Sequence, residues 1–171
     1  MLQLLKEQQL YAKLSKFFFG VKEVEYLGHI VSHEGVRVDP NKVNSMMDST
    51  IPKTLKNLRG FLGLTCYYRK FVWHYGRIAA PLTSLTKKDE FSWTLEETKA
   101  FEQLKEVMCT TPILTTPNFT KTFIVECDSS RNGIGVVLMQ EGRPLDFESQ
   151  PLKGRDLKNL MRSKSWKYYM H

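Results

Sequence analysis

The stretch Val24-Glu25-Tyr26-Leu27-Gly28-His29-Ile30-Val31-Ser32-His33-Glu34-Gly35-Val36-Arg37-Val38-Asp39-Pro40 decides the fold class. Its two outer parts, 24–31 and 36–38, are rich in β-branched and aromatic residues, and Ser32-His33-Glu34-Gly35 between them ends in glycine, so they predict a β-hairpin. Asp39-Pro40 then opens a helix. The aspartate suits the N-cap, and the proline suits the first helical position, where its missing N–H costs nothing. That helix fades near Asp48. A hairpin running directly into helices predicts an α+β protein.

Downstream, Thr54 caps a second helix carrying two stripes at helical spacing. Leu55, Leu58, Phe61, Leu62 and Thr65 form the core stripe, while Lys56, Arg59, Gly60 and Gly63 form the other. Each glycine costs such a helix about 1 kcal/mol, which asks for a reason. Two are available: a bare backbone lets a bulky partner approach between two cations, or another helix packs closely there. Tyr67-Tyr68-Arg69-Lys70-Phe71 continues the basic, aromatic character, and Ile78 to Leu85 predicts a short helix with Pro81 in its first turn. Phe91-Ser92-Trp93 predicts a short extended piece. Thr94-Leu95-Glu96-Glu97 is a capping box that starts a helix to about Met108, with Phe101, Leu104 and Met108 inward. Cys109 to Asn118, with Pro112 and Pro117, reads as a linker and domain boundary. Thr122–Cys127, Ile134–Gln140 and Leu145–Phe147 then predict a three-stranded meander, followed from Asp156 by a basic helix with Leu157, Leu160 and Met161 on its apolar face.

Upstream, residues 2–9 are a helical scrap and Leu14–Phe19 a strand-like apolar run. The whole chain is 171 residues at +7, with 42% apolar and 25% charged residues, a globular composition. The charge is divided: residues 1–88 hold 14 basic and 6 acidic side chains, 89–149 hold 5 and 11, and 150–171 hold 6 and 1. Basic segments flanking an acidic one suit a protein that meets phosphate at two places and packs or contacts protein with its middle. No apolar run approaches the ~18 residues of a membrane span, and the N-terminus is too polar for a signal peptide. Cys66, Cys109 and Cys127 form no C-x-x-C pair and read as buried thiols of an intracellular protein.

Chemistry-bearing residues are few. Asp128 ends a strand where a carboxylate is held rigidly; it is either a metal ligand or a plain strand-end turn residue. Glu126, one pleat away, is an imperfect partner. His29 and His33 lie across the hairpin, a poor metal spacing. No Gly-rich phosphate loop, nucleophile elbow or adjacent aspartate pair occurs.

In order along the chain, Tyr26-Leu27-Gly28-His29-Ile30-Val31-Ser32, Asp39-Pro40-Asn41-Lys42-Val43, Leu58-Arg59-Gly60-Phe61-Leu62-Gly63-Leu64-Thr65-Cys66-Tyr67-Tyr68-Arg69-Lys70-Phe71, Ile78-Ala79-Ala80-Pro81-Leu82-Thr83, Phe91-Ser92-Trp93-Thr94 and Glu126-Cys127-Asp128-Ser129-Ser130 through Gly133–Gln140 closely resemble the polyprotein of gypsy-class (Metaviridae) long-terminal-repeat retrotransposons. The resemblance implies three parts: 1–38, the end of the reverse transcriptase palm with a primer-grip-like hairpin; 39–112, a mainly helical thumb and connection; and 113–171, a truncated ribonuclease H-like domain. It implies that Tyr26, Leu27, Gly28 and His29 position a primer strand. It further implies that Lys56, Arg59, Gly60 and Gly63, with Arg69 and Lys70, meet a primer-template duplex, and that Asp128 is the first metal-binding aspartate of ribonuclease H. Active members use Mg²⁺.

The departures point the other way for catalysis. The chain begins after the family's polymerase aspartates, without which nucleotidyl transfer is not expected. Serines in Ser163-Lys164-Ser165-Trp166 stand where the family has a glutamate, and the later aspartates lie beyond His171, leaving Asp128 as a remnant. Ser49-Thr50 replaces a Trp-Pro, and Lys16-Phe17-Phe18-Phe19 lacks the family's cysteine. The expectation is an inactive fragment that needs no cofactor and binds RNA–DNA or DNA duplex without sequence preference. The alternatives are a protein-interaction module that self-associates or joins an intact polyprotein, a translated relic, and, less favoured, an active hybrid ribonuclease.

Overall fold

The computed structural model describes residues 2–11, 13, 18–87, 91–130, 133–150 and 165–170. The fold is α+β. After the short helix α1 (Leu2–Glu7) come strands β1 (Glu23–Tyr26), β2 (His29–Ser32) and β3 (Gly35–Val38), paired antiparallel in the order β1-β2-β3. The expected two-stranded hairpin is thus a three-stranded meander, because the run 24–31 breaks at its middle. Leu27 (φ 49°) and Gly28 (φ 72°) are both left-handed, as the tightest hairpin turns require, and Tyr26 faces His29 across the turn.

Helices follow. α2 (Pro40–Met47) begins as the sequence predicts, the buried Asp39 side chain accepting from Asn41 N–H at 2.9 Å. α3 (Leu55–Tyr67) is capped by Thr54. A 3-10 turn (Arg69–Phe71) leads to α4 (Tyr75–Ile78) and α5 (Ala80–Leu85); the helix expected over Ile78–Leu85 is α5, with Pro81 in its first turn, and α4 is an extra turn ahead of it. α6 (Leu95–Cys109) carries the capping box: the Thr94 hydroxyl faces the N-terminal amides, and Glu97 accepts from Thr94 N–H at 3.0 Å. Phe91-Ser92-Trp93 belongs to no strand, and its two rings pack against each other beside Phe101.

The core lies among these helices. Met46 of α2, Leu58 and Phe61 of α3, Leu82 and Leu85 of α5, and Phe101, Leu104 and Met108 of α6 are all buried. Between them the Tyr75 hydroxyl meets Thr65 Oγ1 at 2.9 Å, and burial pushes its pKa up to about 12. The cysteines depart from expectation: Cys66 and Cys109 are exposed and Cys127 is half-buried, since Cys66 falls off the core stripe of α3 and Cys109 ends α6.

The second sheet comprises β4 (Phe123–Ser130), β5 (Gly133–Gln140), β6 (Arg143–Gln150) and β7 (Ser165–Met170), all antiparallel in the order β6-β5-β4-β7. The predicted three-stranded meander therefore gains a fourth strand. Residues 165–170 pair with β4 where a basic helix was expected from Asp156. The predicted apolar positions Leu157, Leu160 and Met161 lie outside the described residues, as do residues 14–17 of the predicted apolar run.

The segment expected as a linker instead ties the two sheets together. Val36 and Leu114 exchange backbone hydrogen bonds of 2.7 and 2.9 Å, Leu114 is buried in the core, and Thr115 N–H donates to Pro144 at 2.8 Å. Gly35 permits the approach: its φ is 136°, and a Cβ there would stand 2.1 Å from the Leu114 carbonyl oxygen. Gly35→Ala should cost about 2–3 kcal/mol in urea unfolding, combining left-handed strain with a backbone clash. An unchanged midpoint would show that the strap does not bear on β3.

Candidate nucleic-acid interface

The α3 helix sorts its residues by angle. Leu58, Phe61 and Thr65 face the core, and on the opposite side Lys56, Arg59, Gly60 and Gly63 are exposed. A Cβ added at Gly60 or Gly63 would meet no atom within 4 Å. Close helix packing therefore does not account for these glycines among the described residues. An open groove of about 520 Å³ runs beside Gly60, between the end of α2 and α3, lined by Ser45, Asp48, Thr50 and Asn57.

At 3.6 residues per turn, the spacing 56, 60, 63, 67 returns to one line, so Tyr67 closes the same stripe. Its hydroxyl donates to the Leu27 carbonyl at 2.8 Å, and the Tyr68 hydroxyl donates to the Gly28 carbonyl at 2.9 Å. The His29 ring stacks on Tyr67 with centroids 5.4 Å apart and 9° between planes, and meets Tyr68 edge-on. Tyr26 and Leu27 remain 64% and 68% exposed at the tip. The structure thus joins the Tyr26–His29 turn to the stripe of Lys56, Arg59, Gly60 and Gly63. Sequence reasoning had noted Tyr67 and Tyr68 only as aromatic company; their i+4 and i+5 spacing from Gly63 was the available signal.

Arg69 and Lys70 lie on the 3-10 turn beyond the end of α3. The Arg69 guanidinium lies 3.5 Å from Glu148 of β6, and the Lys70 ammonium sits over the Phe71 ring. Arg69 thus ties the 3-10 turn to β6 at the second sheet's edge.

Asp128 lies on β4 opposite Gly135 of β5 and Ser165 of β7. His74, in a left-handed conformation ahead of α4, brings Nε2 to 3.3 Å from the Asp128 carboxylate. Its ring fills the space over Gly135, where a Cβ would stand 2.6 Å from Nδ1, and Gly76 N–H donates to Ser149 Oγ at 2.7 Å. Burial, and then the Arg77 guanidinium, lower the His74 pKa against the opposing pull of Asp128. His74 carried no signal in the sequence. A Mg²⁺ ion needs several hard oxygen ligands, yet among the described residues no three His, Cys, Asp or Glu side chains converge. The described donors around Asp128 do not by themselves make up such a set. No helix among the described residues is long and apolar enough to cross a membrane.

The profile of the RNase H-like domain found in reverse transcriptase matches residues 93–164. The retrovirus-related Pol polyprotein from transposon 297 of Drosophila melanogaster is 42% identical over 155 residues, 90% of this chain. The chain spans only 15% of that polyprotein's length. An uncharacterized mitochondrial protein of Arabidopsis thaliana is 45% identical over 125 residues, 72% of this chain and 79% of that protein. Among solved structures, the foamy viral protease-reverse transcriptase in complex with RNA/DNA hybrid superposes with a TM-score of 0.73 at 25% identity, covering 80% of this chain and 19% of that one.

Burial, and secondarily the Lys70 ammonium, hold the His29 imidazole below its ordinary 6.5, and its buried Nδ1 has no partner among the described residues. Folding therefore favours the neutral ring. Its contribution is intact above about pH 6.5 and is lost as pH falls through that value toward the depressed one. The urea midpoint should drop between about pH 7.5 and 5.5, and drop less in His29→Phe; equal drops in both proteins would refute this assignment.

Proposed function

From a chain that belongs to the reverse transcriptase and RNase H-like region of the retrotransposon Pol polyproteins, we propose a sequence-independent grip on nucleic-acid duplex without catalytic activity of its own. The observation that carries this reading is the outer face of α3, where exposed Lys56 and Arg59 flank two glycines with open space above them. Backbone without side chains admits the sugars of a shallow groove, and the cations neutralise phosphates without reading bases. The order of the motifs from Tyr26 to Gln140 supports a place in the gypsy class. The foamy viral relative is described in complex with RNA/DNA hybrid, which makes hybrid the first duplex to try.

The inactive reading rests on the Asp128 surroundings. Its carboxylate faces an imidazole, and among the described residues the ligands for two-metal phosphodiester chemistry do not converge. Self-association, or association with an intact polyprotein, is the second reading, favoured by Leu10, Tyr11, Phe18 and Phe19, all exposed.

Filter binding of an RNA–DNA hybrid should weaken steeply between about 50 and 200 mM salt, and the double variant Lys56→Ala/Arg59→Ala should lower the log–log salt slope by about 2. Affinity no better than that of a neutral control protein would overturn the grip. Incubated with hybrid and Mg²⁺, the chain should release no more product than Asp128→Asn; cleavage lost in that variant would overturn the inactive reading.

A further inference from the structure

Leu27 is a bulky residue held at φ 49°, a conformation that costs a side-chain-bearing residue about 1–3 kcal/mol unless its surroundings enforce it. Those surroundings come from α3. Consecutive tyrosines at the helix end reach consecutive carbonyls of the turn, Tyr67 to Leu27 and Tyr68 to Gly28, across 40 residues of sequence. The Gly28 carbonyl also accepts from Asp39 N–H at 3.4 Å, at the cap of α2. A larger residue at Gly28 would push the Tyr68 hydroxyl off the turn, since a Cβ would stand 2.8 Å from it. His29 adds its stacked ring beneath the same pair.

Tyr68 is buried, and Tyr67 is 52% exposed on the line of Lys56, Gly60 and Gly63. The turn is therefore fixed at the end of that line rather than merely near it. We infer that Tyr67 and Tyr68 are positioning residues whose hydroxyls hold the Tyr26–His29 turn in register with the basic stripe of α3, so that one duplex meets both at once. This rests on the reading of the stripe as duplex-facing. The stripe supplies phosphate neutralisation, while the tyrosines supply geometry. Loss of geometry should weaken binding without removing an ion-releasing contact.

The test uses the whole chain with Tyr67→Phe, Tyr68→Phe and the double variant, which keep the rings and remove only the hydroxyls. Amide hydrogen exchange at Gly28 and His29 should accelerate about tenfold or more in the double variant, with the urea midpoint little changed. Hybrid affinity should fall about three- to tenfold with an unaltered salt slope. The double variant Lys56→Ala/Arg59→Ala should do the reverse, lowering the slope and leaving turn exchange as in the parent. Unchanged exchange in the phenylalanine variants overturns the lock whatever the binding result. Faster exchange with parental affinity overturns the positioning role while leaving the grip intact. Failure of the parent to bind hybrid overturns the grip, and with it the shared duplex.

Discussion

The hydroxyl bonds from the end of α3 to the turn of the first sheet are the constraint on which the geometry of this face depends. A tight two-residue turn points its carbonyls away from the strands, and here a leucine occupies a position better suited to glycine or asparagine. Such a turn is stable only where something outside the hairpin satisfies it. Tyr67 and Tyr68 do so, and because they end the helix whose other side is packed on Phe101, the turn inherits the rigidity of the core. The exposed tip, Tyr26 and Leu27, thus protrudes from a fixed base.

A second tie acts on the sheet's other side. Val36 pairs with Leu114, and the next residue, Thr115, bonds Pro144 of the second sheet. Arg143 reaches back to the Glu34 carbonyl at 2.6 Å. His74 against Asp128 of β4, with Gly76 on Ser149 and Arg69 beside Glu148 of β6, docks the second sheet by hydrogen bonds and charges, alongside the packing of Trp73 on Phe147. The acidic middle of the chain, whose charge suits packing or protein contact, thus supplies carboxylates to Arg69 and His74.

Local signals in the sequence carried much of this. Asp39-Pro40, Thr54 and the Thr94–Glu97 box mark helix starts because capping is a matter of a few adjacent residues, and the two stripes of α3 follow from its periodicity. What was not legible was non-local. The break at Leu27-Gly28 hides inside an apolar run, since a leucine at positive φ is tolerated only because of tyrosines 40 residues away. Leu114 looks like linker because its one backbone pairing is with a strand far upstream. His74 has no neighbour in sequence that announces Asp128. The cysteines misled because burial follows the angle around a helix, not residue type, and Cys66 sits off the core stripe.

The strap at Leu114 also bears on how such a chain comes to be folded. The Arg143–Glu34 contact spans 109 residues, and the Val36–Leu114 pairing likewise joins distant segments. Contacts of such range are slow to form, because the intervening chain must first surrender its freedom. During synthesis the outer edge of β3 emerges early and stays unpaired until α6 and the strap have followed. Over that interval it is an open template for another strand, so association of nascent chains competes with completion of the sheet.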